Sequence, residues 1–224
     1  FFSPLGAAVS GADMDDERGL TAQARGRGWR AWVDATSRPA PRWRQPASAW
    51  KRGGGVHVQT RTGNSQWSGD LQRRGRSLWV AGAPGLESTT RVRVQGRWTR
   101  RRLRVTARLD AVGTRRVLRG ARESVLHGIS GSAALRWRCR RMRLEGLATL
   151  FATEGYSTRV YAYEPELPGA LSIRPLYGRG ARLVAVTVVP MGHLLASARW
   201  RLQVSGDEVR HAFGLQIEVI SGSR

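Results

Sequence analysis

The side chains here that could titrate near neutral pH are His57, His127, His193 and His211, and the lone thiol is Cys139. Their spacing supports neither catalysis nor metal binding. The histidines are scattered, with no HExxH motif and no Cys/His cluster, so no metal-ligand set is legible. His193 follows Pro190 in a tight turn and reads as a solvated turn residue, while His57 and His211 read as polar positions on strand faces. Cys139 continues the run Leu135, Trp137, Cys139, where a cysteine serves as a small apolar side chain, and without a second cysteine there is no disulfide framework. Asp13, Asp15, Asp16 and Glu17 lack EF-hand spacing and read as a solvated outer loop. Gly178-Arg179-Gly180 is too short for a phosphate loop and no helix follows it; a tight turn into a strand needs only glycine's backbone freedom. No Ser–His pairing is visible. The expectation is a protein that is not an enzyme and that uses no metal and no cofactor.

The chemistry left is that of arginine in alternation. From Arg91 to Arg97, Arg91, Arg93, Gln95 and Arg97 point one way and Val92, Val94 and Trp98 the other. After a tight turn at Thr99 to Arg101, Leu103, Val105, Ala107 and Leu109 oppose Arg102, Arg104, Thr106, Arg108 and Asp110. Period-two alternation makes a strand with one apolar and one polar face. Such a hairpin needs water on one side and lipid or protein on the other.

Composition narrows that choice. The chain has 224 residues, 41% of them hydrophobic, and a formal net charge of +22, enough for one large all-β domain over residues 1–224. Of 38 Lys plus Arg only Lys51 is lysine, a bias that GC-rich coding explains in part. The charge is spread over many segments and not gathered in a tail, which argues against a disordered nucleic-acid-binding arm. No stretch approaches the roughly 18 apolar residues of a membrane helix. Phe1, Phe2, Ser3, Pro4 lacks the charged start of a signal peptide, and the missing Met suggests a piece of a longer protein or a larger barrel with its export signal upstream.

The elements that must position the arginines are strands throughout. Candidates run near Leu5 to Val9, then Gly19 to Arg25, Trp29 to Thr36, Gly54 to Thr62, and Trp67 to Val80 with a break at Arg74-Gly75. Beyond the Arg91 to Asp110 hairpin come Arg122 to Cys139, Met142 to Ala152, Arg182 to Val189, Leu194 to Val204 and Val209 to Val219. Tight turns at Gly26 to Gly28, Gly63 to Gln66, Thr99 to Arg101, Arg140 to Arg141 and Pro190 to His193 alternate with longer links. Those links are Ser37 to Gly53, Ala81 to Glu87, Val112 to Ala121 and Thr153 to Gly180; Ser205 to Glu208 is a short exception. Short turns at one end and long loops at the other are the habit of membrane β-barrels. A soluble sandwich or lipocalin-like barrel alternates as well, but packs its apolar face inward. An arginine at the lipid midplane costs about 2–4 kcal/mol, so in a membrane barrel the arginines must take the other face.

From Leu150 the chain reads LFATEGYSTRVYAYEPELPGALSIRPLYGRGARL. This resembles the barrel region of bacterial outer-membrane proteins that carry helix-hairpin-helix repeats in an amino-terminal segment. Their Phe-x-Thr-x-x-Tyr strand end, Tyr-x-Tyr-Glu loop and Leu-Tyr-Gly-Arg-Gly turn match Phe151, Thr153, Tyr156, Arg159, Tyr161, Tyr163, Glu164, Leu176, Tyr177, Gly178, Arg179, Gly180 and Arg182. The likeness is good over Leu144 to Gln203 and faint upstream, where Asp34 and Pro39 echo an Asp-x-x-x-x-Pro loop; the helix-hairpin-helix repeats are absent from this chain. The resemblance implies an outer-membrane barrel and a link to DNA handling.

The reading is therefore an antiparallel, up-and-down transmembrane β-barrel of about twelve strands in the bacterial outer membrane, with the lipid bilayer as its first partner. Its lumen is lined by Arg91, Arg93, Arg97, Arg102, Arg104, Arg108, Arg136, Arg138, Arg199 and Arg201, partly offset by Asp110, Glu145 and Glu218. Such an interior is an anion-favouring channel or a plug of interlocked charges, serving transport or assembly. The Thr153 to Gly180 loop is expected at the rim opposite the tight turns, folded over or into the barrel; Tyr161, Tyr163, Glu164 and Arg179 read as packed on the wall, with a ligand site as the other reading. The alternative is a soluble or surface β-protein binding nucleic acid or another polyanion through the same arginines.

Overall fold

The computed structural model describes residues 6–8, 11–12, 17–38, 49–80, 83–119, 123–170 and 172–219. They form β1 (Gly6–Ala8), β2 (Gly11–Ala12), β3 (Glu17–Gly26), β4 (Trp29–Arg38), β5 (Ala49–Thr62), β6 (Ser65–Val80), β7 (Ala83–Arg100) and β8 (Leu103–Leu118). There follow β9 (Ser124–Cys139), β10 (Met142–Thr153), β11 (Val160–Glu164), β12 (Ser172–Leu176), β13 (Arg179–Met191), β14 (Leu194–Ser205) and β15 (Glu208–Val219). One 3-10 turn, Tyr156–Thr158, is the only helical element among the described residues.

The fold is all-β. One sheet carries β1, β3 to β10, and β13 to β15 in hydrogen-bonded order, with β2 also paired to β3. Its eleven long strands, β3–β10 and β13–β15, follow one another up and down, where about twelve were expected from the sequence. Among the described residues no pairing links the last strand of this order to the first. β11 and β12 make a separate antiparallel ribbon, inserted between β10 and β13.

Contacts divide the chain into two compact units. The first comprises Phe1–Thr60, Ser68–Val94 and Ala111–His127. In it β4 pairs with β5 so that Trp32 lies opposite Gly55 and Asp34 opposite Gly53, while Val33 and Val56 take the other face. The face bearing His57, Asp70 and Glu87 is polar; the opposite face exposes Leu20, Val33, Val56, Val58, Leu71, Val92 and Val94. The second unit comprises Arg61–Trp67, Gln95–Asp110 and Gly128–Arg224. There β9, β10, β13, β14 and β15 are held in continuous antiparallel register. Its apolar face exposes Leu109, Ile129, Leu150, Leu194, Trp200, Phe213, Leu215 and Ile217. His211, expected among polar residues, shares this face, since alternation along β15 sets it between Val209 and Phe213.

Tryptophans mark the tight-turn ends. Trp29, Trp67, Trp98 and Trp137 each stand within three residues of a turn at 27–28, 63–64, 101–102 or 140–141, on the apolar side of their strand. One of these rings, and Trp32 on the other face of β4, take their room from glycine. A Cβ at Gly96 would come within 2.6 Å of the Trp67 ring, and one at Gly55 within 2.7 Å of Trp32. These glycines are sites where a neighbouring strand lays an indole across the backbone.

Several expected boundaries move. β6 runs unbroken through Arg74 and Gly75, because the Trp50 ring lies over Gly75 at ordinary contact distance. The tight turn after β7 is Arg101-Arg102, with Arg101 in the left-handed region at φ 49°. β7 begins at Ala83 and β8 continues to Leu118, so most of the expected links Ala81 to Glu87 and Val112 to Ala121 are strand. Buried partners explain the extension: Glu87 and Thr114 are internal to the sheet and bonded to neighbouring strands. The expected acidic loop residues Asp13, Asp15 and Asp16, Pro39, and the termini lie outside the described residues.

Candidate functional site: an arginine face and the ribbon that covers it

Alternation in the second unit gathers arginines on one sheet face. β9 contributes Arg136 and Arg138, β10 contributes Arg143, β13 contributes Arg182, and β14 contributes Arg199 and Arg201. Strand register meets part of this charge within the sheet. Arg136 and Arg143 converge on Glu145, at 2.8 and 3.1 Å. Arg108 forks onto Asp110, with its second guanidinium nitrogen at 3.0 Å, and donates to the Tyr161 carbonyl at 3.3 Å.

Three further arginines, Arg182, Arg199 and Arg201, are met from outside the sheet. Residues 154–178 leave β10 at the end opposite the Arg140-Arg141 turn and return on the arginine face. Their neck is clasped twice: the Thr153 amide donates to the Gly178 carbonyl at 2.7 Å, and the Gly178 amide to the Thr153 hydroxyl at 2.9 Å. Gly178 takes φ +78°, which a side chain would strain. The β11–β12 ribbon then lays Val160, Ala162 and Leu176 inward, all buried. Glu164, fully buried, binds Arg182 at 3.0 Å and lies 3.4 Å from Arg201. Glu166 pairs with Arg199 and stands 3.5 Å from Arg201. Arg182 also donates to Gln203, and Gln216 to the Pro168 carbonyl.

Beneath this layer sits a small apolar core of Leu147, Val184, Val186 and Val188 with Ala134 and Leu195. A cavity of about 170 Å³ remains between Val160, Tyr161 and Leu176 of the ribbon and Thr106, Ser132 and Thr149 of the sheet. Of the loop residues singled out, Glu164 and the Tyr161 carbonyl meet arginines of the sheet, while the Tyr161 hydroxyl accepts from Arg159 within the loop at 2.6 Å. Tyr163 and Tyr177 are exposed; Tyr177 meets Tyr156 edge to face at 5.9 Å, and Arg108 lies 5.8 Å from the Tyr163 ring. Arg179 opens β13 and is exposed, and Gly180 leaves room for Phe151.

The other expected arginines separate into groups. Arg97 and Arg104 fall on the same face in the second unit, Arg104 exposed. Arg102 does not: it is a turn residue whose carbonyl accepts from the Arg138 amide at 2.9 Å. In the first unit Arg91 and Arg93 share the face of Glu87, where Glu87 bridges Arg76 and Arg116 at 2.7 and 2.6 Å. Glu218, expected as an offset, accepts from Gln216. Arg182, Glu166 and the Glu87 bridge were not among the expected wall residues. Their signal was the scarcity of acid, since 16 carboxylates among 38 cations leave few partners to choose from. No helix among the described residues is long and apolar enough to cross a membrane, which leaves strands untouched as spanning elements. No protein-family model matches this chain, and no curated protein matches it.

Proposed function

We propose that this chain is a transmembrane β-barrel of the bacterial outer membrane, with the arginine face as its interior and the β11–β12 ribbon as an internal restriction. One observation carries the reading: the apolar face is left uncovered. Phe213, Leu215, Ile217 and Val219 are 67–77% exposed in one strand. Contiguous apolar surface on that scale marks contact with lipid or a partner, and the tryptophans at the tight-turn ends fit a membrane-interface girdle. The buried carboxylates of the ribbon favour the interlocked interior over a wide water-filled pore. They also weigh against the polyanion-binding alternative, because Arg182, Arg199 and Arg201 are already held by the ribbon's carboxylates.

Extraction is the first test: the full-length protein should leave membranes only with detergent, whereas a polyanion binder would leave in salt. In planar bilayers at low salt it should pass chloride over potassium at low conductance, because a basic passage concentrates anions. Replacing Arg93, Arg104 and Arg199 with glutamate should shift the preference toward cations. Cation selectivity in the native protein would rule out an arginine-lined passage, and the absence of conductance would leave an assembly role.

A further inference from the structure

The rule that arginine avoids the apolar face is broken at one place in the first unit. Arg52, Arg73 and Arg115 all sit there. Arg52 lies opposite Ala35, on the face of Val33 and Val56. Arg73 alternates with Asp70, the partner of His57, and Arg115 alternates with Thr114 and Arg116, which bond to the polar side. The three line a concavity of about 690 Å³ together with Gly54, Gly75, Ser88 and Glu87, whose carboxylate is held by Arg76 and Arg116. Trp50 lines it too: its amide donates to the Ser77 hydroxyl at 2.9 Å, and its ring carries the Arg52 guanidinium at 4.9 Å. Leu86 and Val117, both exposed, complete the lining.

We infer that this concavity binds the phosphate headgroup of an anionic lipid. The inference rests on the membrane reading above. Guanidinium forks match phosphate oxygens two at a time, and stacking on an indole fixes the plane of the fork. Among the described residues Arg52 and Arg73 have no carboxylate partner, and Arg115 has only the exposed Glu123, at 2.6 Å. A free phosphate or a nucleic acid would gain nothing from an opening on the apolar face. A lipid gains there twice, because its chains lie along Leu86, Val117 and the valines beside them. The arginines' aliphatic stems cover apolar surface while their heads reach the headgroup level.

The test uses the detergent-solubilised full-length protein in micelles doped with phosphatidic acid or phosphatidylcholine, with bound lipid counted by native mass spectrometry. Phosphatidic acid should be retained over phosphatidylcholine. The triple variant R52Q/R73Q/R115Q should retain about tenfold less of it or lower, while R141Q, in an exposed turn of the second unit, should not change. Glu123→Gln should retain more, because it frees Arg115, and a gain of binding cannot come from misfolding. Unchanged retention in both variants, or displacement of the lipid by inorganic phosphate alone, overturns the proposal. A protein that needs no detergent removes the membrane reading itself; one that needs detergent but ignores phosphatidic acid removes only this site.

Discussion

Two of the carboxylate clusters that neutralise arginines in this molecule do so by different means. In the first unit Glu87 belongs to the sheet and bridges Arg76 and Arg116 from its own place in the strand order. In the second, Glu164 and Glu166 arrive on a ribbon tethered at a two-bond neck, and reach Arg182, Arg199 and Arg201 from above. The Glu87 carboxylate cannot leave the arginine face unless strands part, although its arginines can turn away from it. The Glu164 and Glu166 pairs can open while every strand stays paired. An arginine face neutralised by its own strands is scaffold; one neutralised by a separate ribbon can be uncovered.

The largest effect expected from this difference is in the double variant E164A/E166A. Removing one side of a buried ion pair strands the other, at about 3 kcal/mol or more, which is roughly a hundredfold more opening of the ribbon. Protease cleavage within residues 154–178 should rise by that order while the sheet's thermal midpoint holds. A fall of the midpoint with no local cleavage would mean the ribbon and sheet unfold as one. Next comes Gly96→Val, which drives a branched side chain into the Trp67 ring and should lower sheet stability by about 1–3 kcal/mol. Adding Trp67→Ala should recover part of that loss, a coupling read from a double-mutant cycle. Glu87→Ala should cost about 1–2 kcal/mol, discounted because Arg76 and Arg116 are 59% and 37% exposed and can turn to water. It should leave ribbon cleavage unchanged; increased cleavage there would erase the contrast between the clusters. The smallest effect belongs to Glu123→Ala, whose pair with Arg115 is exposed on both sides, and no shift in thermal midpoint is expected.

Much of the scaffold was legible in the sequence because alternation is a local signal. Val92, Val94, Leu109, Leu194, Trp200, Leu215 and Ile217 are exposed on apolar strand faces, as their period-two spacing requires. Glycine misled the reading. Gly75 suggested a break, yet it lies inside a strand, under an indole from β5. Local sequence does not say that a residue is small because a ring crosses it. The ribbon was missed for a related reason: Pro165, Pro168 and Pro175 disfavour pairing, but Pro175 sits in β12, a two-stranded ribbon where a missing amide is tolerated. Arginine positions could be read from spacing. Their partners could not, because Glu164 meets Arg182 across eighteen residues and through a chain reversal.

β13 differs from its neighbours in being apolar on both faces. From Leu183 to Val189 it carries seven residues without charge, proline or glycine, with Val184, Val186 and Val188 buried on the arginine side. Before the sheet assembles, such a segment has the makings of a dry, self-stacking zipper between copies of the chain. It is bounded by Arg182 on one side and Pro190 on the other, residues that interrupt such stacking. Arg182 thus has a second task in the unassembled chain, as a gatekeeper against aggregation, which ends when Glu164 takes hold of it.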